Sequence, residues 1–200
     1  MSHSAHNFDA IVIGVGVMGA STCLALAKRG LSVLGLDQYS IPNTLGSSHG
    51  HTRMTRSAYF EHPDYVPLIQ RANQLWREIE SAHGSRIIDL CGAIYIGRPE
   101  SELIAGSIRA ANTHKLEYRL LSPDQVALEY PQFHVEPDMI GLWERDAGYI
   151  FAEKAVCAIV SQALAHGAVL SGHESVKGWK SNSGKIKVET DRATYTADRL

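Results

Sequence analysis

The sequence has no long apolar run and no strong excess of charge of either sign. Its longest apolar stretches are strand-sized, well below the roughly 20 residues that a membrane-spanning helix requires. The 200 residues carry 19 basic and 21 acidic side chains, a net charge of −2, which argues against a basic nucleic-acid-binding surface or an acidic tail. With 44% hydrophobic and 20% charged residues, the composition predicts a soluble globular protein with a substantial core.

Cysteine and metal-ligand patterns are also sparse. Cys23, Cys91 and Cys157 are widely spaced without a C-x-x-C pair, and an odd count argues against a disulfide framework. His49 and His51 form an H-x-H pair, but no third ligand lies nearby in the sequence, so we predict no metal site. The first eight residues lack the basic start and apolar centre of a signal peptide. We therefore expect a cytoplasmic protein, or a peroxisomal one if the source is eukaryotic.

The clearest positive signal is a strand, a glycine-rich turn, a helix, a second strand and an acid within residues 10–37. Gly14 permits the tight turn, Gly16 leaves room for a pyrophosphate, and Gly19 lets the helix pack closely on the strand. The helix N-terminus offers backbone N–H groups and a positive dipole end to phosphates. Asp37 ends the second strand, eighteen positions after Gly19, where a carboxylate can accept from ribose hydroxyls. This predicts a dinucleotide-binding unit; the alternative is a glycine-rich turn in an ordinary βαβ unit.

The rest of the chain alternates between helical and strand-like patterns, and residues 85–147 have the character of an α+β insert. The apolar residues of the second helix (Tyr65, Leu68, Ile69, Leu75, Trp76 and Ile79) recur at helical spacing, which favours core packing over a cofactor-binding face. We predict helices at 17–29, 64–83, 100–114, 122–130 and 152–166, with Gly30 ending the first of them and Ser122 as the N-cap of the fourth, before Pro123. We predict strands at 10–13, 32–37, 116–121, 139–144, 168–172 and 192–196, and hairpins formed by 87–90 with 93–97 and by 175–180 with 185–190.

A second signal lies in residues 46–59, where a glycine-serine loop precedes two arginines. Because Arg53 and Arg56 are three positions apart, a helical turn would place both on one face, with Thr52 and Tyr59 on nearly the same side. One guanidinium could stabilise negative charge that develops on a cofactor ring. The other could hold a substrate carboxylate through two hydrogen bonds. The alternative is a pair of solvated arginines at the edge of a loop.

Residues 46–59 read Gly-Ser-Ser-His-Gly-His-Thr-Arg-Met-Thr-Arg-Ser-Ala-Tyr. This resembles the signature Gly-Ser-His-His-Gly-Asp-Thr-Arg-x-x-Arg-x-Ala-Tyr of the family of monomeric sarcosine oxidase and N-methyltryptophan oxidase, flavoprotein amine oxidases of the D-amino-acid-oxidase superfamily. The similarity continues at 65–68, 75–76, 146–151 and 195–198 and covers nearly all of the chain. Ser48 and His51 replace a histidine and an aspartate of the signature, so the substrate or the flavin electronics could differ.

The resemblance implies FAD rather than NAD as the cofactor. It implies an α/β fold with a Rossmann-like FAD-binding domain and an inserted α+β substrate domain, as the N-terminal half of the full fold. Residues 1–84 would begin the FAD-binding domain, 85–147 would start the substrate domain, and 148–200 would continue the FAD-binding domain. In this family a covalent flavin is attached to a cysteine well beyond position 200, so we expect the protein to continue past Leu200.

The resemblance also assigns roles to residues. Arg53, Arg56 and Tyr59 would be catalytic, with Arg53 against the flavin ring to stabilise its reduced anion and Arg56 on the substrate carboxylate. Val176 would contact the adenine through its backbone. The full set of implied cofactor-binding residues is Gly14, Gly16, Met18, Gly19, Asp37, Gln38, Gly46, Ser47, Thr52, Arg53 and Val176.

The implied reaction is oxidation of a secondary amino acid, N-methyl or cyclic, to an imine that water hydrolyses to an amine and an aldehyde. Dioxygen would reoxidise the flavin and give hydrogen peroxide. The implied partners are the amino acid and dioxygen, with no nucleic acid, no membrane and a monomeric state. Three alternatives stay open: a dehydrogenase with another electron acceptor, a noncatalytic flavin-binding subunit, and an NAD-dependent dehydrogenase, which leaves residues 46–59 unexplained.

Overall fold

The computed structural model describes residues 6–182 and 184–200, which divide into two compact units. The first unit contains the described residues up to His51 together with Ala152–Leu200, and the second is Thr52–Phe151. The domain boundaries predicted after residues 84 and 147 stay a prediction, because compactness does not identify which segments bind a cofactor. Among the described residues, no helix combines the length and the apolar character needed to cross a membrane.

The chain alternates short strands with five helices over the described residues. In order, the elements are β1 (His6–Ile13), α1 (Val17–Ala27), β2 (Val33–Leu36), β3 (Arg53–Thr55), α2 (Tyr65–His83), β4 (Ile88–Asp89), β5 (Ala93–Gly97), α3 (Glu102–His114), β6 (Tyr118–Leu121), α4 (Pro123–Glu129), β7 (Ile140–Glu144), β8 (Gly148–Ile150), α5 (Ala152–Ala165), β9 (Val169–Ser171), β10 (Val176–Asn182), β11 (Lys185–Thr190) and β12 (Thr194–Arg199).

The first unit is built on a six-stranded sheet in the order β10-β11-β12-β1-β2-β9. Strands β12, β1, β2 and β9 run parallel, whereas β10, β11 and β12 form an antiparallel meander at one side. All four residues of β2 are buried, as expected for a strand inside a parallel sheet. This confirms the predicted parallel pairing of the first two strands. The core of the sheet contains Ile11, Leu34, Leu36, Val188 and Ala197.

Helix α1 ends as the sequence predicts, at a glycine in the left-handed conformation. Gly30 has φ of +79°, and its N–H donates to the carbonyl of Ala27 at 2.9 Å. The next N–H, of Leu31, donates to the carbonyl of Leu26 at 3.2 Å, which completes the hydrogen-bond pattern of a Schellman motif. The helix packs against α5 within this unit. Its end turns the chain back into β2, so both ends of the predicted βαβ unit are defined locally.

The second unit contains two three-stranded sheets, in the orders β3-β8-β4 and β5-β7-β6. Helix α4 begins with the predicted serine cap: the Ser122 hydroxyl accepts from the Gln125 N–H, and the Gln125 side chain accepts from the Ser122 N–H. Pro123 occupies the first helical turn, where its missing N–H has no consequence. One core cluster of this unit comprises Tyr95, Ile104 and Leu142.

The predicted hairpin of residues 87–90 with 93–97 is wrong. Strand β4 pairs with β8, whereas β5 pairs with β7 in the other sheet. The chain changes sheets at Gly92, which has φ of +85° and donates its N–H to the carbonyl of Ala147 at 2.9 Å. A glycine in the left-handed region suits a hairpin and a change of sheet equally well, so the local pattern could not decide between them.

Six apolar residues of α2 were predicted to pack in the core, and the prediction is wrong for three of them. Only Val66 and Ile79 of this helix are buried. The side chains of Tyr65, Leu68 and Leu75 are exposed. Helical spacing identifies an apolar face, but it does not identify what packs against that face.

The three cysteines differ in burial, and this difference predicts a difference in their reactivity. Burial raises the pKa of Cys23 to about 11, whereas Cys91 and Cys157 are exposed. Because the thiolate is the reactive form, we expect a thiol reagent at pH 8 to modify two cysteines rapidly in the native chain. Cys23 should react only after denaturant is added. Peptide mass mapping of the modified residues checks this, and equal labelling of all three in the native state would contradict it.

Candidate cofactor-binding site

The glycine turn joins β1 to α1 through contacts that exclude a side chain. Gly14 has φ of +87°, and its N–H donates to the carbonyl of Leu36 at 2.7 Å. A Cβ on Gly19 would overlap the carbonyl oxygen of Gly14 and lie 2.9 Å from its carbonyl carbon. The helix therefore approaches the turn more closely than any other residue at position 19 permits.

The loop that follows β2 folds over the N-terminus of α1. The Ser48 hydroxyl accepts from the Val17 N–H at 3.0 Å, and a Cβ on Gly16 would lie 3.2 Å from the same hydroxyl oxygen. Ser48 therefore supplies an acceptor at a helix N-terminus whose own cap residue, Gly16, has no side chain. Sequence analysis missed this role because the two segments are 31 residues apart.

The Asp37 side chain binds both the glycine turn and the loop that follows β2. One carboxylate oxygen accepts from the Val15 N–H at 2.8 Å, and the other accepts from the Tyr39 N–H at 2.9 Å. A carboxylate has about four acceptor positions, so these two bonds leave capacity for ligand hydroxyls. The Asp37 side chain therefore orients the glycine turn in addition to the ribose-binding role predicted from the sequence.

A cavity of about 540 Å³ lies at this edge of the sheet, within the size range of cofactor sites. It is bounded by the glycine turn, the end of β2, the loop at 43–48 and the start of β10. Of the cofactor residues predicted in the first unit, Met18 and Gly19 are absent from its lining, and the Met18 side chain is 80% exposed. The predicted residues that line the cavity are Gly14, Gly16, Asp37, Gln38, Gly46, Ser47 and Val176.

Glu174 is a cavity residue that sequence analysis did not identify. Its side chain is buried, and its carboxylate accepts from the Ser171 hydroxyl at 2.5 Å and from the Thr190 hydroxyl at 2.7 Å. Burial acts to raise the pKa of Glu174, but the hydrogen bonds from Ser171, Thr190 and Tyr195 outweigh it and hold the pKa below its usual value. The cavity wall next to Val176 is therefore acidic. No local motif marks a glutamate whose partners come from three strands.

In the second unit, the helical turn predicted for the two arginines is wrong. Residues Arg53–Thr55 form β3 and pair antiparallel with β8, with Arg53 opposite Ile150. The backbone is therefore extended, because it is held by the neighbouring strand. Thr52 and Arg53 are both exposed, and the Arg53 guanidinium donates to the carbonyl of Thr52 at 3.0 Å.

Arg56 and Tyr59 lie together just after this strand. The Arg56 guanidinium carbon is 4.4 Å from the centre of the Tyr59 ring and 5.0 Å from that of Phe60, within the range of cation–π contacts. Its Nη2 donates to the Glu61 carboxylate at 2.9 Å. The Tyr59 ring packs at 5.1 Å from the ring of Tyr65. The rings and the Glu61 carboxylate orient the guanidinium, and its remaining N–H donors can bind an anionic ligand.

Neither histidine of the H-x-H pair belongs to a metal cluster. Among the residues that the structure describes, no group of three or more His, Cys, Asp or Glu side chains is arranged to hold a metal ion.

Solved structures of amino acid oxidases have the same fold. NikD, described as an unusual amino acid oxidase essential for nikkomycin biosynthesis, matches with a TM-score of 0.86 and 27% identity over 97% of this chain and 50% of that one. Glycine oxidase from Geobacillus kaustophilus matches with a TM-score of 0.81 and 20% identity over 97% of this chain and 54% of that one. These matches confirm the predicted α/β fold class and its place as the N-terminal half of the full fold.

Curated relatives include monomeric sarcosine oxidase of Streptomyces avermitilis, 37% identical over 96% of this chain and 50% of that protein. N-methyl-L-tryptophan oxidase of Yersinia pestis is 31% identical over 97% of this chain and 52% of that protein. The chain thus spans about half the length of these relatives, and the resemblance predicted from residues 46–59 is confirmed. Residues 9–200 match the DAO family, described as FAD dependent oxidoreductase, which also confirms FAD as the predicted cofactor. The chain therefore belongs to the DAO family of FAD dependent oxidoreductases.

Proposed function

We propose that this chain provides the FAD-binding region and one part of the substrate site of an oxidase that acts on secondary amino acids. The observation that carries the proposal is the aromatic-flanked Arg56, whose guanidinium pairs with the carboxylate of Glu61, in a chain similar to relatives named for sarcosine and N-methyltryptophan. Both compounds are amino acids with a methylated nitrogen and a carboxylate. A site for such compounds needs a fixed cation, and Arg56 meets that need.

The residues of the first unit fit FAD. The glycine turn has no side chain that would block a pyrophosphate, and the Asp37 carboxylate has remaining acceptor capacity. When bound, FAD supplies the acceptor for a hydride equivalent from the carbon bonded to the substrate nitrogen. We propose pyrophosphate contacts from Gly14, Gly16, Met18 and Gly19, sugar contacts from Asp37 and Gln38, an adenine contact from the Val176 backbone, and further contacts from Gly46, Ser47, Thr52 and Arg53.

In this proposal the arginines have separate roles. Arg53 stabilises negative charge on the reduced flavin, Arg56 binds the substrate carboxylate, and Tyr59 orients Arg56 through its ring. The products are an imine that hydrolyses to an amine and an aldehyde, and hydrogen peroxide. Covalent attachment of the flavin through a cysteine beyond residue 200, a monomeric state, the absence of nucleic-acid and membrane partners, and a cytoplasmic or peroxisomal location stay predictions.

The substrate class is tested with a panel of N-methyl and cyclic amino acids added to the full-length protein without oxygen. Bleaching of the flavin absorbance identifies compounds that reduce it, and peroxide formation in air separates an oxidase from a dehydrogenase. Bleaching by secondary amino acids together with stoichiometric peroxide is the expected result. Bleaching without peroxide would favour the dehydrogenase alternative, and no bleaching by any member would contradict the proposal.

Replacing Gly19 by alanine should remove the cofactor. The new methyl group would overlap the Gly14 carbonyl, so the turn and α1 must separate, and we expect the melting temperature to fall by on the order of 5 °C. Flavin absorbance per protein measures cofactor content. Gly178→Ala is the control, because a Cβ at Gly178 meets no atom within 4 Å. Equal flavin content in the two variants would contradict the assignment of the turn.

Replacing Arg56 by alanine should raise KM on the order of 100-fold, because a charge-assisted bidentate contact contributes about 2 to 3 kcal/mol. The turnover number should change much less, since the carboxylate is bound in both the ground and transition states. Arg71→Ala is the control, because Arg71 pairs with Glu78 on the surface of α2. Loss of flavin with an unchanged KM would show that Arg56 holds the cofactor instead.

A further inference from the structure

Glu144 is a buried carboxylate at the end of β7, with only 1% of its surface exposed. One of its oxygens accepts from the Tyr95 hydroxyl at 2.5 Å and from the Ser57 N–H at 3.2 Å. The other oxygen accepts from the Ala58 N–H at 2.7 Å. Two of these three partners are backbone N–H groups, which can only donate. The surroundings of position 144 therefore require a side chain with two acceptor oxygens.

The backbone that Glu144 binds is the segment between Arg56 and Tyr59. Ser57 and Ala58 are themselves buried, so their N–H groups have no access to bulk water and need an internal acceptor. The Ser57 hydroxyl makes a second anchor by donating to the carbonyl of Asp146 at 2.6 Å. The Tyr59 N–H donates to the Ser57 carbonyl at 2.9 Å, which bends the chain sharply at this point.

The fixed segment determines where the Arg56 guanidinium and the Tyr59 ring meet. These groups lie on either side of Ser57 and Ala58 in the sequence and are in contact through a cation–π distance of 4.4 Å. The charge of Arg56 also reaches the Glu144 network. Burial raises the pKa of the Tyr95 hydroxyl, the negative Glu144 raises it further, and Arg56 acts in the opposite direction. The charges of Arg56 and Glu144 therefore both act on the Tyr95 hydroxyl, in opposite directions.

We propose that Glu144 is the positioning residue for substrate carboxylate binding: by holding the N–H groups of Ser57 and Ala58, it fixes the turn that presents Arg56 and Tyr59. This inference rests on the proposed function, because it assigns to Glu144 the support of the arginine that binds the substrate. Glu144 itself has no contact with solvent through which it could meet a ligand.

Glutamine at position 144 has the same shape but cannot satisfy all three donors. Its amide has one acceptor oxygen and one NH₂ group that only donates. If the amide oxygen faces the Ala58 N–H, the NH₂ group faces the Tyr95 hydroxyl and the Ser57 N–H. The hydroxyl can rotate and accept a hydrogen bond from the NH₂ group, but the Ser57 N–H cannot accept one. At least one backbone N–H therefore loses its acceptor, and the turn that carries Arg56 is released.

The test measures KM and turnover number for Glu144→Gln in the full-length holoenzyme, alone and combined with Arg56→Ala. Because a positioning residue acts through the arginine, we expect Glu144→Gln to raise KM about tenfold in the wild-type background and less than about twofold in the Arg56→Ala background. Hydrogen exchange of the Ser57 and Ala58 amides is the second readout, and we expect at least one amide to exchange about tenfold faster.

Glu80→Ala is the matched control. Glu80 also accepts from two consecutive backbone N–H groups in the second unit, those of Ile87 and Ile88, at 2.7 and 3.1 Å, and both donate to the same oxygen. Glutamine would keep that acceptor, so alanine is needed to remove it. We expect this variant to accelerate exchange at Ile87 and Ile88 while KM stays within about twofold of wild type. An equal rise of KM in both variants would mean that general loosening of the unit explains the effect, and it would overturn the proposal.

Glu144→Asp is the substitute variant if the glutamine variant does not fold. Aspartate keeps the charge, but it is shorter by one methylene and cannot reach both N–H groups at their present distances. The same rise in KM is expected. An unchanged KM, or a rise that is additive with Arg56→Ala, would overturn the role of Glu144 and leave the proposed function intact. An Arg56→Ala variant with unchanged KM would instead overturn the proposed function, and the role of Glu144 with it.

Discussion

Backbone N–H groups that leave regular structure need acceptors, and in this chain carboxylate side chains supply them at the segments that form the site. Asp37 accepts from Val15 in the glycine turn, and Glu144 accepts from Ser57 and Ala58 beside the arginine. Further examples are Glu153 with Gly50 and Asp191 with Ser175. Charge-assisted hydrogen bonds of this kind are stronger than those between neutral groups. They allow irregular backbone to be held in one conformation without a helix or a sheet.

The residues that meet a ligand in the proposed function are held in place by other residues, although Asp37 is proposed to do both. The glycine turn presents backbone, and its orientation depends on Asp37 and on Ser48 from a later loop. Arg56 presents a charge, and its position depends on a carboxylate more than 80 residues further along the chain. Glu144 differs from Asp37 in that it is buried, with both oxygens engaged by protein donors, so a ligand cannot reach it.

The parts of the fold that could be predicted are those determined by neighbours in the sequence. The Gly14 turn, the Gly30 helix end and the Ser122 cap each depend on residues within a few positions, and each was predicted correctly. Pairing of β5 with β7 rather than β4 depends on strands that are far apart, and the same residues 87–97 fit either arrangement. The extended backbone of Arg53 likewise depends on β8, whereas the spacing of the arginines allowed a helical turn.

The candidate site follows the same division. Gly14, Gly16 and Asp37 could be found because each occupies a fixed place in a βαβ unit. Ser48, Glu144 and Glu174 could not be found, because a serine or glutamate has no local signal when its partners, apart from Ser171 beside Glu174, lie 16 to 87 residues away. The one available hint was that Ser48 departs from the family signature, and its hydroxyl has a definite role in the structure.

A serine hydroxyl has one donor and two acceptor positions. At position 48 it accepts from the Val17 N–H at the start of α1, which leaves its own hydrogen able to point elsewhere. The helix N-terminus then keeps its positive character while one N–H is satisfied without a charged side chain, since a carboxylate at this place would repel phosphate. Ser48 is therefore compatible with an anion at the glycine turn, and it connects the loop that contains Gly46 and Ser47 to the helix that begins the nucleotide site.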